Sequence, residues 1–177
     1  PPLVYVPHLD GVVVRYDPSD GGKPVASKVP VMTGYNGAEM IAPGVDTPAK
    51  FEAAVHQRYG AFADRLLALY PHGSETDVRR SNVLLARDRY MAGALVWAQK
   101  RKAVSGQDVR VFLYDHDYPA APGGMGWGAF HSSQLPYVFG NLGQGGRRFT
   151  AADAGISRQW QDVILAFMRK GGNKAWP

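Results

Sequence analysis

The sequence predicts an α/β fold in which packed helices cover a sheet, and three observations carry that prediction. Two short apolar runs, 31–33 and 109–114, are rich in Val and bounded by Pro, Gly or acidic residues, as buried strands are. The stretch between them, 46–103, repeats apolar residues at three- and four-residue spacing. A last segment places Ile156, Trp160, Val163, Ile164, Phe167 and Met168 on one helical face. Helices that each bury one stripe against a sheet make a layered α/β arrangement.

Taken in order, the first segment, 4–16, has two β-like patches around Asp10-Gly11, and Val12-Val13-Val14 reads as a strand or extended piece. Residues 17–22 form a loop by composition. Val31-Met32-Thr33 reads as a buried strand of the parallel kind, with Gly34, Asn36-Gly37 and Glu39 at its carboxyl end. Asp46 or Thr47 can cap a helix that starts at Pro48, because proline tolerates the first turn. Phe51, Val55, Tyr59, Phe62, Leu66, Leu67 and Leu69 continue its apolar face until Pro71. Ser74 or Thr76 opens a further helix whose apolar side is Val83, Leu84, Met91, Leu95 and Trp97, with Arg79, Arg87, Arg89 and Lys100 outside it. Ser105-Gly106 makes a turn, and Val109 to Tyr114 is the strongest strand signal in the chain. Asn141 to Arg148 is glycine-rich, Thr150 or Asp153 caps the final helix, and Gly171-Gly172 stops it.

The 177 residues suffice for one domain with a real core, and no repeat or linker divides residues 1–177. Hydrophobic residues at 45% and charged residues at 20% are ordinary for a globular protein. No apolar run approaches the roughly 18 residues of a membrane span. The absence of cysteine excludes disulfide and thiolate chemistry within the chain. The net charge of +5 comes from short clusters such as Arg79-Arg80, Lys100-Arg101-Lys102 and Arg147-Arg148. They lack the interleaved aromatics and motifs of a nucleic-acid face, so solvated helix surfaces explain them. Pro1-Pro2-Leu3-Val4-Tyr5 reads as interior sequence, which leaves the compartment unassigned.

Two side chains stand out as chemistry. His131 lies between the glycine-rich approach 123–128 and the exit Gln134-Leu135-Pro136-Tyr137-Val138-Phe139, whose apolar residues are expected to anchor the segment in a core. Imidazole exchanges a proton near neutral pH, so a pinned loop histidine is a general acid/base candidate, although presentation alone also fits an ordinary loop histidine. Glu39 lies beyond a strand's carboxyl end, where functional groups of open α/β sheets gather, and can orient an imidazole; a solvent-exposed loop glutamate is the competing reading. Asp115-His116-Asp117 hints at a metal, but adjacent residues on an extended chain face alternate ways, so it reads as a polar strand end. No metal or cofactor is expected.

These residues resemble the C-terminal third of the type-B carboxylesterases, the family of cholinesterases and para-nitrobenzyl esterases. Residues 30–39 resemble its Gly-x-Asn-x-x-Glu segment, and 128–139 its Gly-x-x-His-x-x-Glu-Leu-Pro-Tyr-Val-Phe signature. Residues 7–11 and the tail Asp153, Ser157, Trp160, Phe167, Gly171-Gly172-Asn173 and Trp176-Pro177 fall in the family's order as well. The resemblance implies the last strands and covering helices of an α/β-hydrolase fold, incomplete without its N-terminal part. It implies Glu39 as the acid and His131 as the base of a Ser-His-Glu triad. Four departures are Ala38 for an aspartate, Met40 for a small residue, Gln134 for a glutamate and Gly172 for a proline.

The nucleophile is missing. An α/β-hydrolase presents its serine on a Gly-x-Ser-x-Gly elbow upstream of the acid, and no such elbow occurs here. Ser132 and Ser133 adjoin the base on its own loop and cannot readily aim at its Nε2. The implied partner is therefore an N-terminal portion of the same enzyme carrying the elbow and oxyanion hole, and the implied substrate is a small-molecule ester. A non-catalytic cholinesterase-like adhesion protein and an independent helical binding module are the alternatives.

Overall fold

The computed structural model describes residues 8–17, 19, 27–39, 42–124, 126–143 and 146–170. The expected β-like patch before His8, the loop at 20–22, Met40, the Gly171-Gly172 stop and the Trp176-Pro177 end lie outside the described residues.

Two strands, β1 (Val31–Asn36) and β2 (Val109–Tyr114), pair in parallel, Val31 opposite Val109 and Asn36 opposite Tyr114. Parallel strands need a long crossover. Here it comprises α1 (Pro48–Tyr59), a 3-10 turn at Gly60–Phe62, α2 (Ala63–Leu67) and the 31-residue α3 (Glu75–Ser105). After β2 come the short helix α4 (Leu135–Phe139) and α5 (Ala151–Lys170). α3 packs on both strands, and α4 packs on α5.

The helix ends follow from their capping residues. Thr47 is extended and its hydroxyl accepts from the Lys50 N–H, with Pro48 in the first turn. Ser74 Oγ accepts from the Asp77 N–H and donates to the Asp77 carboxylate. α3 runs until Gly106, which takes the left-handed conformation (φ 70°) that a side chain resists. Thr150 and Asp153 close α5 reciprocally: the Asp153 carboxylate accepts from the Thr150 N–H at 2.7 Å, and the Asp153 N–H faces Thr150 Oγ1 at 3.4 Å.

Two cores form. Phe51, Val55, Ala63, Tyr70 and Val78 are buried where α1, α2 and α3 meet. Tyr114, Ala129 and Tyr137 are buried behind the His131 loop, with Phe112, Tyr118, Phe149, Ile156 and Trp160 packed around them. Full burial of side chains such as Phe51, Val55 and Val78 contributes roughly 1.5–3 kcal/mol each.

Several expectations are corrected. Val12-Val13-Val14 is not a strand: the Asp10 carboxylate accepts from all three main-chain N–H groups at 2.8–3.0 Å and bends the segment. A carboxylate that gathers local donors competes with extended pairing. The exit from the His131 loop is helical, and Tyr137 alone of its residues is fully buried; Phe139 is 74% exposed. Phe62, Leu69, Met91, Leu95 and Met168 are likewise exposed. On α5 the residues buried deepest are Asp153 and Ser157, while Ile156, Trp160, Val163, Ile164 and Phe167 are half-buried.

Candidate active site

The carboxyl ends of β1 and β2 and the loop after β2 bring Glu39 and His131 together. Gly37 continues the pairing beyond β1, its N–H donating to the Tyr114 carbonyl at 2.8 Å. A Cβ at Gly37 would overlap the Asp115 carboxylate, so any side chain here would force Asp115 aside. Ala38 then donates to the Ala129 carbonyl at 3.0 Å and forms a parallel bridge with Phe130. The turn after β1 is thereby fastened to the residues just before His131. Farther along, the Asn82 carboxamide on α3 clasps both main-chain groups of Ala42, accepting from its N–H and donating to its carbonyl.

Glu39 and His131, 92 residues apart, meet at 2.7 Å between Oε2 and Nδ1. The Glu39 side chain is only 9% exposed and that of His131 is 64% exposed. The second Glu39 oxygen, Oε1, accepts from the Asn36 main-chain N–H at 3.0 Å. A carboxylate only accepts, so the proton of this pair belongs on His131 Nδ1, which leaves the Nε2 lone pair free. Among the described residues nothing hydrogen-bonds to Nε2. The arrangement joins a buried carboxylate to one imidazole nitrogen and leaves the other open.

The loop that carries His131 is fixed at several points. Ser132 adopts a positive φ of 70°, unusual for a residue with a side chain. The Ser133 N–H donates to the Phe130 carbonyl, and the Leu135 N–H to the Ser132 carbonyl. Ser133 is buried, with its hydroxyl against the Asn36 carboxamide, and neither serine hydrogen-bonds to His131. The Asn36 Nδ2 group also donates to the Phe130 carbonyl and to Gln134 Oε1, each at 2.7 Å. The Phe130 ring meets Tyr118 edge-on at 5.3 Å. Trp127, just upstream, is exposed.

A second imidazole–carboxylate pair lies behind the first. His116 Nε2 meets Asp153 Oδ1 at 2.8 Å, and the Tyr137 hydroxyl donates to the same oxygen at 2.7 Å. Burial would raise the Asp153 carboxyl, but hydrogen bonds from Thr150, His116 and Tyr137 outweigh it and hold it well below the usual carboxylate range. Burial, reinforced by Asp153, pushes the Tyr137 phenol far up, so it stays a donor. Of the Asp115-His116-Asp117 run, only His116 turns to this network. Asp115 packs against Gly37, and the Asp117 side chain approaches Gly128. Among the described residues no three His, Asp or Glu side chains group as a metal centre requires.

Sequence reasoning named Glu39 and His131 and missed the roles of Asn36 and His116. The signal for Asn36 was present, since an amide three residues before Glu39 at a strand end has few reasons to be buried except to bond. Nothing in the local sequence pointed His116 at Asp153, 37 residues on.

No protein-family model matches the chain. It is similar to the fumonisin B1 esterase of Sphingopyxis macrogoltabida, with 29% identity over 142 residues, covering 77% of this chain and 26% of that enzyme. The chain thus spans about a quarter of the length of its relative, and the likeness is to an esterase.

Proposed function

We propose that this chain supplies the acid, Glu39, and the base, His131, of a serine carboxylesterase resembling the type-B family. A Gly-x-Ser-x-Gly nucleophile and its oxyanion hole come from an N-terminal portion of the same protein. The β1–helices–β2 unit is then the closing part of a larger α/β-hydrolase sheet. The observation that carries this reading is the 2.7 Å contact of a buried carboxylate with Nδ1 of an imidazole whose Nε2 stays open. The likeness to an esterase supports it.

In this mechanism the serine hydroxyl attacks the ester carbonyl while His131 Nε2 takes its proton. Glu39 keeps Nδ1 protonated and stabilises the imidazolium. The proton passes to the departing alkoxide, leaving an acyl-enzyme. Water attacks the acyl carbon through the same base, and the carboxylic acid leaves. The substrate class is a carboxylic ester; a fumonisin ester belongs in the panel beside short acyl and aryl esters.

The test is His131→Ala in the full-length protein. We expect kcat on a chromogenic ester to fall by on the order of 10⁴, with KM little changed. Labelling of the protein by a serine-directed phosphonate should slow in parallel. Near-unaltered turnover in the variant would overturn the assignment.

A further inference from the structure

Between the two proposed catalytic groups lies Asn36, which is 1% exposed and ends β1. Its main chain touches Glu39, and its side chain touches the loop on either side of His131. Its main-chain N–H donates to Glu39 Oε1 at 3.0 Å, which holds the carboxylate so that Oε2 faces the imidazole. Its side-chain Nδ2 donates at 2.7 Å to the carbonyl of Phe130, the residue before His131, and at 2.7 Å to Gln134 Oε1, three residues after it. A longer contact of 3.4 Å reaches Ser133 Oγ. The Phe130 main-chain carbonyl can only accept, so the nitrogen of the Asn36 amide must face it.

We propose that Asn36 is the positioning residue of the catalytic pair, with Gln134 as the acceptor that completes its grip; this rests on the reading of Glu39 and His131 as acid and base. The loop carrying His131 has no regular secondary structure of its own until α4 begins at Leu135. Its register against β1 is set by the Ala38–Ala129 main-chain bond and by the Asn36 amide, which brackets His131 from both sides in sequence. An aspartate of nearly the same shape at position 36 would present oxygens to the Phe130 main-chain carbonyl and repel it, while the Gln134 carboxamide would have to turn over to donate instead of accept. The aspartate would keep the main-chain bond to Glu39, so the substitution isolates the side chain's contribution.

The experiment compares Asn36→Asp, Gln134→Met and the double variant in the full-length protein, with melting temperature as the folding control. Two readouts are taken: kcat and KM on a chromogenic ester, and the His131 ring tautomer by nitrogen NMR of histidine-labelled protein. We expect Asn36→Asp to lower kcat by ten- to a hundredfold, the loss that follows a misplaced catalytic group, with KM within about twofold. The Nδ1–H tautomer of His131 should lose its dominance. Gln134→Met should lower kcat by less, about three- to tenfold, and add little in the Asn36→Asp background, because both residues act through one contact. If Asn36→Asp does not fold, the half-exposed Gln134→Met variant decides through the same two readouts. Folded variants that keep wild-type kcat and tautomer overturn the proposal. Should His131→Ala leave hydrolysis intact, the catalytic reading falls, and the tautomer measurement still decides whether Asn36 positions His131.

Discussion

Asp153 shows how much a single residue can hold. Its buried carboxylate joins the end of β2 through His116, the start of α4's core through Tyr137 and the first turn of α5 through Thr150. The sequence named Asp153 as a cap and stopped there, because His116 and Tyr137 reach it only through the folded loop. Glu39 and His131 were singled out for a different reason: segments 30–39 and 128–139 resemble those of a known family, whereas local sequence alone fitted an ordinary loop glutamate and histidine as well. The Asp153 carboxyl lies below its ordinary value of 3.8 in the folded chain, so it binds its proton less readily folded than unfolded. Its stabilisation is complete above about pH 5 and is lost as pH falls through 3.8 toward the lower folded value. Asp153→Asn should cost roughly 1–3 kcal/mol at pH 7, since it weakens bonds to a buried charged acceptor. In urea titrations of the full-length protein the gap between wild type and variant should narrow at pH 3. A gap that stays constant with pH would show that Asp153 does not titrate differently on folding.

Among the elements, β1 shows why pattern reading stopped short. Only Val31-Met32-Thr33 reads as strand, since Gly34 and Asn36 favour turns, yet β1 continues through Asn36 because each residue has a partner in β2. Pairing overrode propensity, as it does when a neighbouring strand supplies the hydrogen bonds. Gly34 has a second reason to be glycine: a Cβ there would enter the ring of Phe112, directly opposite on β2. Phe112 cannot simply retreat, because Trp160 of α5 meets its ring edge-on at 4.7 Å. Gly34→Ala should therefore destabilise by about 1–3 kcal/mol through overpacking. The near-ultraviolet dichroism of Trp160 should change with it. A variant with unchanged denaturation midpoint and spectrum would mean that Phe112 has room the packing does not show. α1 and α3 were legible from their first residues, because Thr47-Pro48 and Ser74 are local signals that no distant partner needs to complete.

For the whole molecule, the two-stranded parallel sheet sets the terms. Parallel sheets are stable when both faces are covered, and a strand edge left open invites further pairing. Here Leu113 on β2 is 45% exposed and Met168 on α5 is 73% exposed. Between these elements runs an open groove lined by Val111, Leu113, Ile156, Trp160 and Val163. Of the residues chosen by sequence as the buried side of α5, Met168 is exposed and the others are only half-buried, because the strand beside them offers too little surface. If the rest of an α/β-hydrolase covers these faces, the 177-residue chain expressed by itself should bind a hydrophobic dye and associate. It should also unfold over a broad denaturant range, while the full-length protein binds little dye and unfolds sharply. If the proposed N-terminal portion exists, co-expression of the two portions as separate chains should restore both dye exclusion and ester hydrolysis, because the proposed pair would need only to be held against the proposed serine. A monomeric chain with a sharp transition and no dye binding would show that its two cores suffice alone. The exposed apolar groups would then be surface, and the argument for an N-terminal partner would rest on the missing nucleophile.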